Sequence, residues 1–343
     1  MRLVVTLLTL TVFLSTHPVL RGLDGNKAPN QYVHDQWKSG NGLPSNGIPA
    51  LYQSKSGYLW LGTFDEGLVR FDGVRFVNYG HTTTELSALG IVALTEDLSG
   101  TMIVGTQSQG LFQFNGTTFS SLAPYKNAGK LSRSINKLWT DASGAVWVGT
   151  STGVLRIFQS KLDIILKVNE ITQGYKYSFC QTPDGTVWIG ATDGLYTYSS
   201  GKAVRAGQFP AVPVAGLCSD KAGNVWVSAS DNVVRLSGGN SSTATLIGRF
   251  SGNPVQQLLS DRDGTLWIAT AHGLSRYSNG VLADFTAEEL ADDPVISLLE
   301  DREGSVWIGT FTGGLHRLRD AVFTTLTTKE GLSGDYIRSI IET

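Results

Sequence analysis

The chain has 343 residues, 41% of them hydrophobic and 16% charged, with 40 glycines and a formal net charge of −2. So slight an acidic balance gives no electrostatic reason to expect nucleic acid or an anionic membrane surface as a partner. The length suits one large all-β unit, and the glycines suit many tight turns.

Arg2 precedes an apolar run from Leu3 to Leu14. The run is too short to span a bilayer, and residues 1–23 read as a secretory leader, which predicts an exported, periplasmic product. Next, the stretch from Tyr32 to Trp37 has the character of a last strand followed by a link, Gly42-Leu43-Pro44-Ser45-Asn46. A lone strand at the amino end predicts that it pairs into the final unit, whose edge would otherwise be open.

From Trp60 onward one pattern recurs. Trp60-Leu61-Gly62-Thr63 returns as Ile103-Val104-Gly105-Thr106, Trp147-Val148-Gly149-Thr150, Trp188-Ile189-Gly190-Ala191, Trp226-Val227-Ser228-Ala229, Trp267-Ile268-Ala269-Thr270 and Trp307-Ile308-Gly309-Thr310. The period is about 40 residues, that of one four-stranded propeller blade. In each unit an apolar run and a polar turn precede the Trp; a short link, a Gly-Leu run and a fourth stretch such as Val322–Leu326 follow it. The first run is apolar at consecutive positions, as at Leu298 and Leu299, so both sheet faces must be covered. A ring of blades supplies that cover, with the Trp filling the gap and the Gly two residues on leaving room for a neighbouring backbone. These observations predict a seven-bladed β-propeller of four-stranded antiparallel blades over 26–328, closed by the amino-terminal strand.

Individual units depart from the pattern. Blade two carries Ile103 for Trp, blade three has an extra Trp139, and blade five has the loop Gly238–Thr243. Cys180 and Cys218 hold equivalent positions in adjacent blades and should face different gaps as free thiols. Residues 329–343 repeat the Gly42–Asn46 link and read as the interrupted start of an eighth repeat, as in a fragment or a truncated frame.

Little in the sequence points to catalysis. The histidines, His17, His34, His81, His272 and His316, lack a metal-ligand spacing, no nucleotide fingerprint is present, and no cofactor or metal is expected. Asp220, Asp261 and Asp301 occupy the same hairpin turn and are read as turn residues, not calcium ligands. His34 and Trp37 read as packing residues.

Residues that break the repeat on the links are the candidates for recognition. The links after each Trp strand contribute Phe64, Asp65, Glu66, Gln107, Gln109, Asp193, Asp231, His272 and Phe311; the links between blades contribute Arg133, Tyr175, Lys176 and Tyr177. Both sets should line one rim, where aromatics beside amides and carboxylates suit a sugar.

Gln31–Trp37, Gly42–Asn46, Gly57–Thr63 and Gly67–Phe76 resemble the two-component regulator propeller family, over roughly residues 26–343. The resemblance implies the exported sensor region of a bacterial histidine kinase, hybrid two-component system or diguanylate cyclase, without an enzyme activity of its own. It implies a small-molecule or oligosaccharide ligand, and a second propeller or signalling modules in full-length relatives. Two rival functions stand beside it: a propeller lyase acting on a carbohydrate or cyclic ester through His272 and His316, and a protein-docking platform.

Overall fold

The computed structural model describes residues 21–80, 90–122, 134–167, 176–241, 243–285, 290 and 293–320. They form seven four-stranded antiparallel sheets. The innermost strands, one per blade in chain order, are Ala50–Gln53, Ile91–Glu96, Ile135–Thr140, Ser178–Gln181, Val214–Ser219, Val255–Ser260 and Val295–Glu300. Each leads through a hairpin into the strand that carries the recurring Trp, and those second strands are buried at every residue.

The burial follows from where the indoles go. Trp307 of blade seven packs among Leu59, Leu61, Val69 and Phe71 of blade one. Trp60 packs among Leu94, Val104 and Phe112 of blade two, and Trp147 among Phe179, Val187 and Ile189 of blade four. Each indole is thus a wedge between adjacent sheets, and burying a side chain of that size stabilises the fold by about 3 kcal/mol. Blade two forms fully with Ile103 in that place, 3% exposed against blade-three residues. The glycine two residues on is required by the next blade: a Cβ on Gly62 would meet the Ile91 carbonyl oxygen at 2.5 Å, and one on Gly309 the Ile48 carbonyl oxygen at 2.4 Å.

Blade seven is completed from the other end of the chain. Its outermost strand is Tyr32–Trp37, antiparallel to Leu315–Asp320, with Asp35 opposite Arg317 and Trp37 opposite Leu315. Tyr32–Trp37 therefore holds the place that Val322–Leu326 would take in a unit built from consecutive sequence; those residues, like 329–343 and 1–20, lie outside the described residues. Strand alternation sends Tyr32 and Trp37 to opposite faces. Tyr32 joins Trp267 and Phe285 towards blade six, while Trp37 stacks on Trp307 at 5.5 Å and meets Phe71 of blade one edge-on. Asp35 accepts from Arg317 at 2.7 Å and Arg319 at 3.1 Å; although burial raises its pKa, these bonds hold it below the usual value. Leu23, at the end of the stretch read as a leader, is 1% exposed in the cluster shared by blades six and seven.

The closing strand also carries a histidine contact. His34 is exposed yet stacks on the His316 ring at 5.0 Å, and its Nε2 lies 2.8 Å from Nδ1 of His316, which is 1% exposed. Burial, with His34 and Lys38 nearby, lowers the His316 imidazole from 6.5 to about 4.

The two cysteines are free, as expected, and occupy different gaps: Cys180 with Leu217 and Val225, Cys218 against Trp226 and Leu258. Burial pushes the Cys180 thiol up to about 12, so it is an inert apolar group.

The polar turns before each Trp strand do more than turn. Asp141, Asp220, Asp261 and Asp301 each accept from the indole Nε1 six residues on, at 2.8, 3.2, 2.9 and 2.7 Å. The other carboxylate oxygen takes backbone N–H groups of the turn, as at Thr265 and Ser305. Blades one and four have Ser54 and Thr182 at this position, and there the buried Nε1 atoms of Trp60 and Trp188 have no partner among the described residues.

Two predictions follow from this architecture. Asp261→Ala leaves a buried indole N–H and several turn amides unpaired and should cost about 2–4 kcal/mol in urea unfolding, whereas Ser54→Asp gives Trp60 an acceptor and should add about 1 kcal/mol. The second concerns pH. A base with a depressed folded-state pKa stabilises the fold above its unfolded value and loses that contribution as pH falls towards the folded one, so His316 should lose up to about 3 kcal/mol between about pH 6.5 and about 4. Burial raises Asp261, Asp301 and Glu300, which act in the opposite sense, so the difference between wild type and His316→Gln across that window isolates the imidazole.

Candidate functional site

The links on one face of the ring are joined by a repeated backbone bond. In six of the seven blades the N–H at the start of the link after the second strand donates to a carbonyl just ahead of that blade's own inner strand: Phe64 to Gly47, Gln107 to Gly90, Ser151 to Ser134, Ser230 to Pro213, Ala271 to Pro254 and Phe311 to Pro294. Both kinds of link therefore form one rim, as the sequence predicts. The threonine ending the motif holds the link in shape. Thr63, Thr106, Thr150, Thr270 and Thr310 donate Oγ1 to the carbonyls of Gly67, Gly110, Gly153, Gly273 and Gly314 at 2.9–3.1 Å.

Several candidates take part in that stitching through their backbones. The Glu66, Gln109 and His272 backbone N–H groups each donate to a motif threonine Oγ1, and the Glu66 carboxylate accepts from Asn78 Nδ2 at 3.0 Å. Asp193 is turned to the third and outer strands, where it accepts from Tyr196 OH at 2.6 Å and its carbonyl takes Arg205. The Asp231 carbonyl accepts the Phe250 N–H. Asp65 is exposed on the blade-one link. Arg133 and Tyr175 lie outside the described residues.

The others are drawn to the ring's axis. Phe64, Gln107, Lys176 and Tyr177 line a central channel of about 770 Å3 walled by the inner strands of all seven blades. Phe311, 52% exposed, stands edge-on to Phe64 with ring centres 5.5 Å apart, placing an aromatic pair at the mouth. Tyr177 is 3% exposed and packs in the gap between blades three and four, so its ring is core. Lys176 reaches Gln256 Oε1 across the mouth, from blade four to blade six.

Lys137, which the reading of the links passed over, also lines this channel. It pairs with Gly149, and the residues at that register in other blades are Ala50, Ala93, Ser178, Gln257 and Ser297. Setting the seven inner strands side by side would have exposed it, since a lone Lys breaks a row of small or neutral residues. Burial holds Lys137 below the usual lysine pKa and nearby Lys176 lowers it further; burial lowers Lys176 too. Asp293, one of the blade-six acidic residues, braces the rim instead, accepting from the Thr312 N–H at 2.9 Å and Thr312 Oγ1 at 2.8 Å.

A second cleft of about 760 Å3 opens on the opposite face between the turns of blades four and five, lined by Asp184, Trp188, Arg205, Lys221 and Asn240 among others. His272 and His316 do not share a site: the former lies exposed on the blade-six link, the latter is buried against His34. Among the described residues no three His, Cys, Asp or Glu side chains are grouped to hold a metal.

Residues 42–65, 249–272 and 289–312 match the family model described as two component regulator propeller. No curated protein sequence matches the chain. Among solved structures, the extracellular domain of a protein described as a hybrid two component system, BT4673 from B. thetaiotaomicron, superimposes with a TM-score of 0.69 at 17% identity, over 87% of this chain and 40% of its own. The corresponding domain of BT3049 from the same organism gives 0.66 at 21% identity, over 84% and 42%. The chain thus spans less than half the length of these relatives. Virginiamycin B lyase from Staphylococcus aureus gives 0.67 at 11% identity, over 86% of this chain and 100% of its own, a likeness of fold. With the motif matched at three places around a ring whose seven blades share one wedge, the chain is a seven-bladed propeller that carries repeats matching the two-component regulator propeller model.

Proposed function

We propose that this propeller is the ligand-binding sensor portion of an exported signalling protein, of the two-component or cyclic-dinucleotide kind, and that its ligand enters at the rim around the channel mouth. The observation that carries the reading is the coincidence of the family's repeats with a stitched, rigid rim opening on a cavity of about 770 Å3. A cavity of that size holds a mono- or disaccharide, with the Phe64–Phe311 pair offering an apolar face and Gln107 an amide at its edge. Binding alone transmits nothing; the ligand must favour one arrangement of the propeller and its neighbouring modules over another. The extracellular domain of BT4673, from a protein described as a hybrid two component system, extends well beyond the 40% that this chain covers, which leaves room for such neighbours.

Lyase chemistry is the weaker reading, because the two histidines that would carry it stand in separate places, and likeness to virginiamycin B lyase extends to fold only. The test is thermal unfolding of the purified protein against a panel of neutral and charged oligosaccharides, alongside a cyclic-ester cleavage assay. A ligand at about a hundred times its Kd adds about 2.7 kcal/mol to stability. At least one compound should raise the melting temperature of wild type, and Phe64→Ala with Phe311→Ala should remove the shift. A shift indifferent to those substitutions, or turnover of the cyclic ester, would contradict the proposal.

A further inference from the structure

We propose that the channel selects an anionic ligand, a carboxylate-bearing small molecule of mono- to disaccharide size, held between the ammonium groups of Lys137 and Lys176. The inference deepens the sensor reading and rests on it. Among the described residues lining the channel there are two lysines and no Asp or Glu. A chain of net charge −2 thus places two cations, and no carboxylate of the described residues, on the wall of its central cavity. The opposite cleft differs, since Asp184 stands there with Arg205 and Lys221.

The scaffold has no use for the Lys137 charge. At Lys137's register, Ser297 donates Oγ to the Ile48 carbonyl and Gln257 bonds both backbone groups of Leu298, so neutral side chains staple neighbouring inner strands there. Lys137 makes no such staple and no ion pair with a described residue. On the channel wall, where Lys137 is half-buried, its charge is disfavoured by desolvation and by Lys176 together, and a desolvated charge is costly unless a counter-charge offsets it. An anion between the two ammonium groups supplies that counter-charge. Lys176 at the mouth meets the ligand first, and Lys137, deeper in the channel, fixes its carboxylate. Half-buried Tyr52 and Trp139 on the wall offer apolar surface to the rest of the molecule.

The test is calorimetric titration of wild type, Lys137→Met and Lys176→Gln with digalacturonate, citrate, inorganic sulfate and lactose as probes. Lys137→Met removes a disfavoured charge, so it should stay folded, which its melting curve verifies. Digalacturonate or citrate should bind wild type at least about tenfold more tightly than lactose, and Lys137→Met should weaken that binding about tenfold or more, with a smaller loss for Lys176→Gln at the open mouth. Raising the salt concentration should weaken the anions and leave lactose unchanged. Equal or tighter binding of lactose, lost with Phe64→Ala, would overturn the anion proposal and leave the sensor reading standing. Sulfate binding alone, binding of neither carboxylate, or carboxylate binding indifferent to Lys137→Met would also overturn it.

Discussion

The structure depends on closure. A blade is apolar on both faces and is stable only between two others, so a row of blades has no acceptable end unless it returns on itself. Here the return is made by six residues, Tyr32–Trp37, paired along Leu315–Asp320. They bring their own wedges, Tyr32 towards blade six and Trp37 towards blade one, so the last two gaps are filled by side chains from the opposite end of the chain. Asp35 between Arg317 and Arg319 adds a charge-assisted register mark to the same seam. Without that seam there is no axis, and without an axis the residues facing inward on seven separate strands never converge.

Much of this was legible in the sequence because its causes recur. An indole, a small residue two positions on and a threonine each answer a demand that every blade repeats: filling the gap, admitting the next inner strand and holding the link. The closing strand was legible for a related reason, since Tyr32–Trp37 precedes the first repeat and matches only the end of one. The turn aspartates were recognised as turn residues, but not as acceptors for the indole six positions on, because turn chemistry alone already accounts for an Asp at that place and the bond is made across the hairpin.

The site was legible only coarsely. Its rim was found because links vary where strands do not, and Phe64, Gln107, Lys176 and Phe311 do lie at the mouth. On the same links the Glu66 and Asp193 carboxylates are bonded to Asn78 and Tyr196, and the Gln109 and His272 backbone N–H groups donate to the motif threonines. Lys137 was hidden for the converse reason. It sits inside a strand, where a reader attending to links does not look, and its meaning depends on seven positions brought together only by the closed ring.

The amino-terminal strand is an integral part of blade seven, and hydrogen exchange reads this out at each strand. Peptides covering Tyr32–Trp37 should exchange as slowly as those covering Leu59–Gly62 or Leu266–Thr270, through opening of the ring as a whole. Exchange of Tyr32–Trp37 at the rate of a free tail, with the Trp strands still protected, would show that the ring is held by something else and that the channel lacks the wall described here.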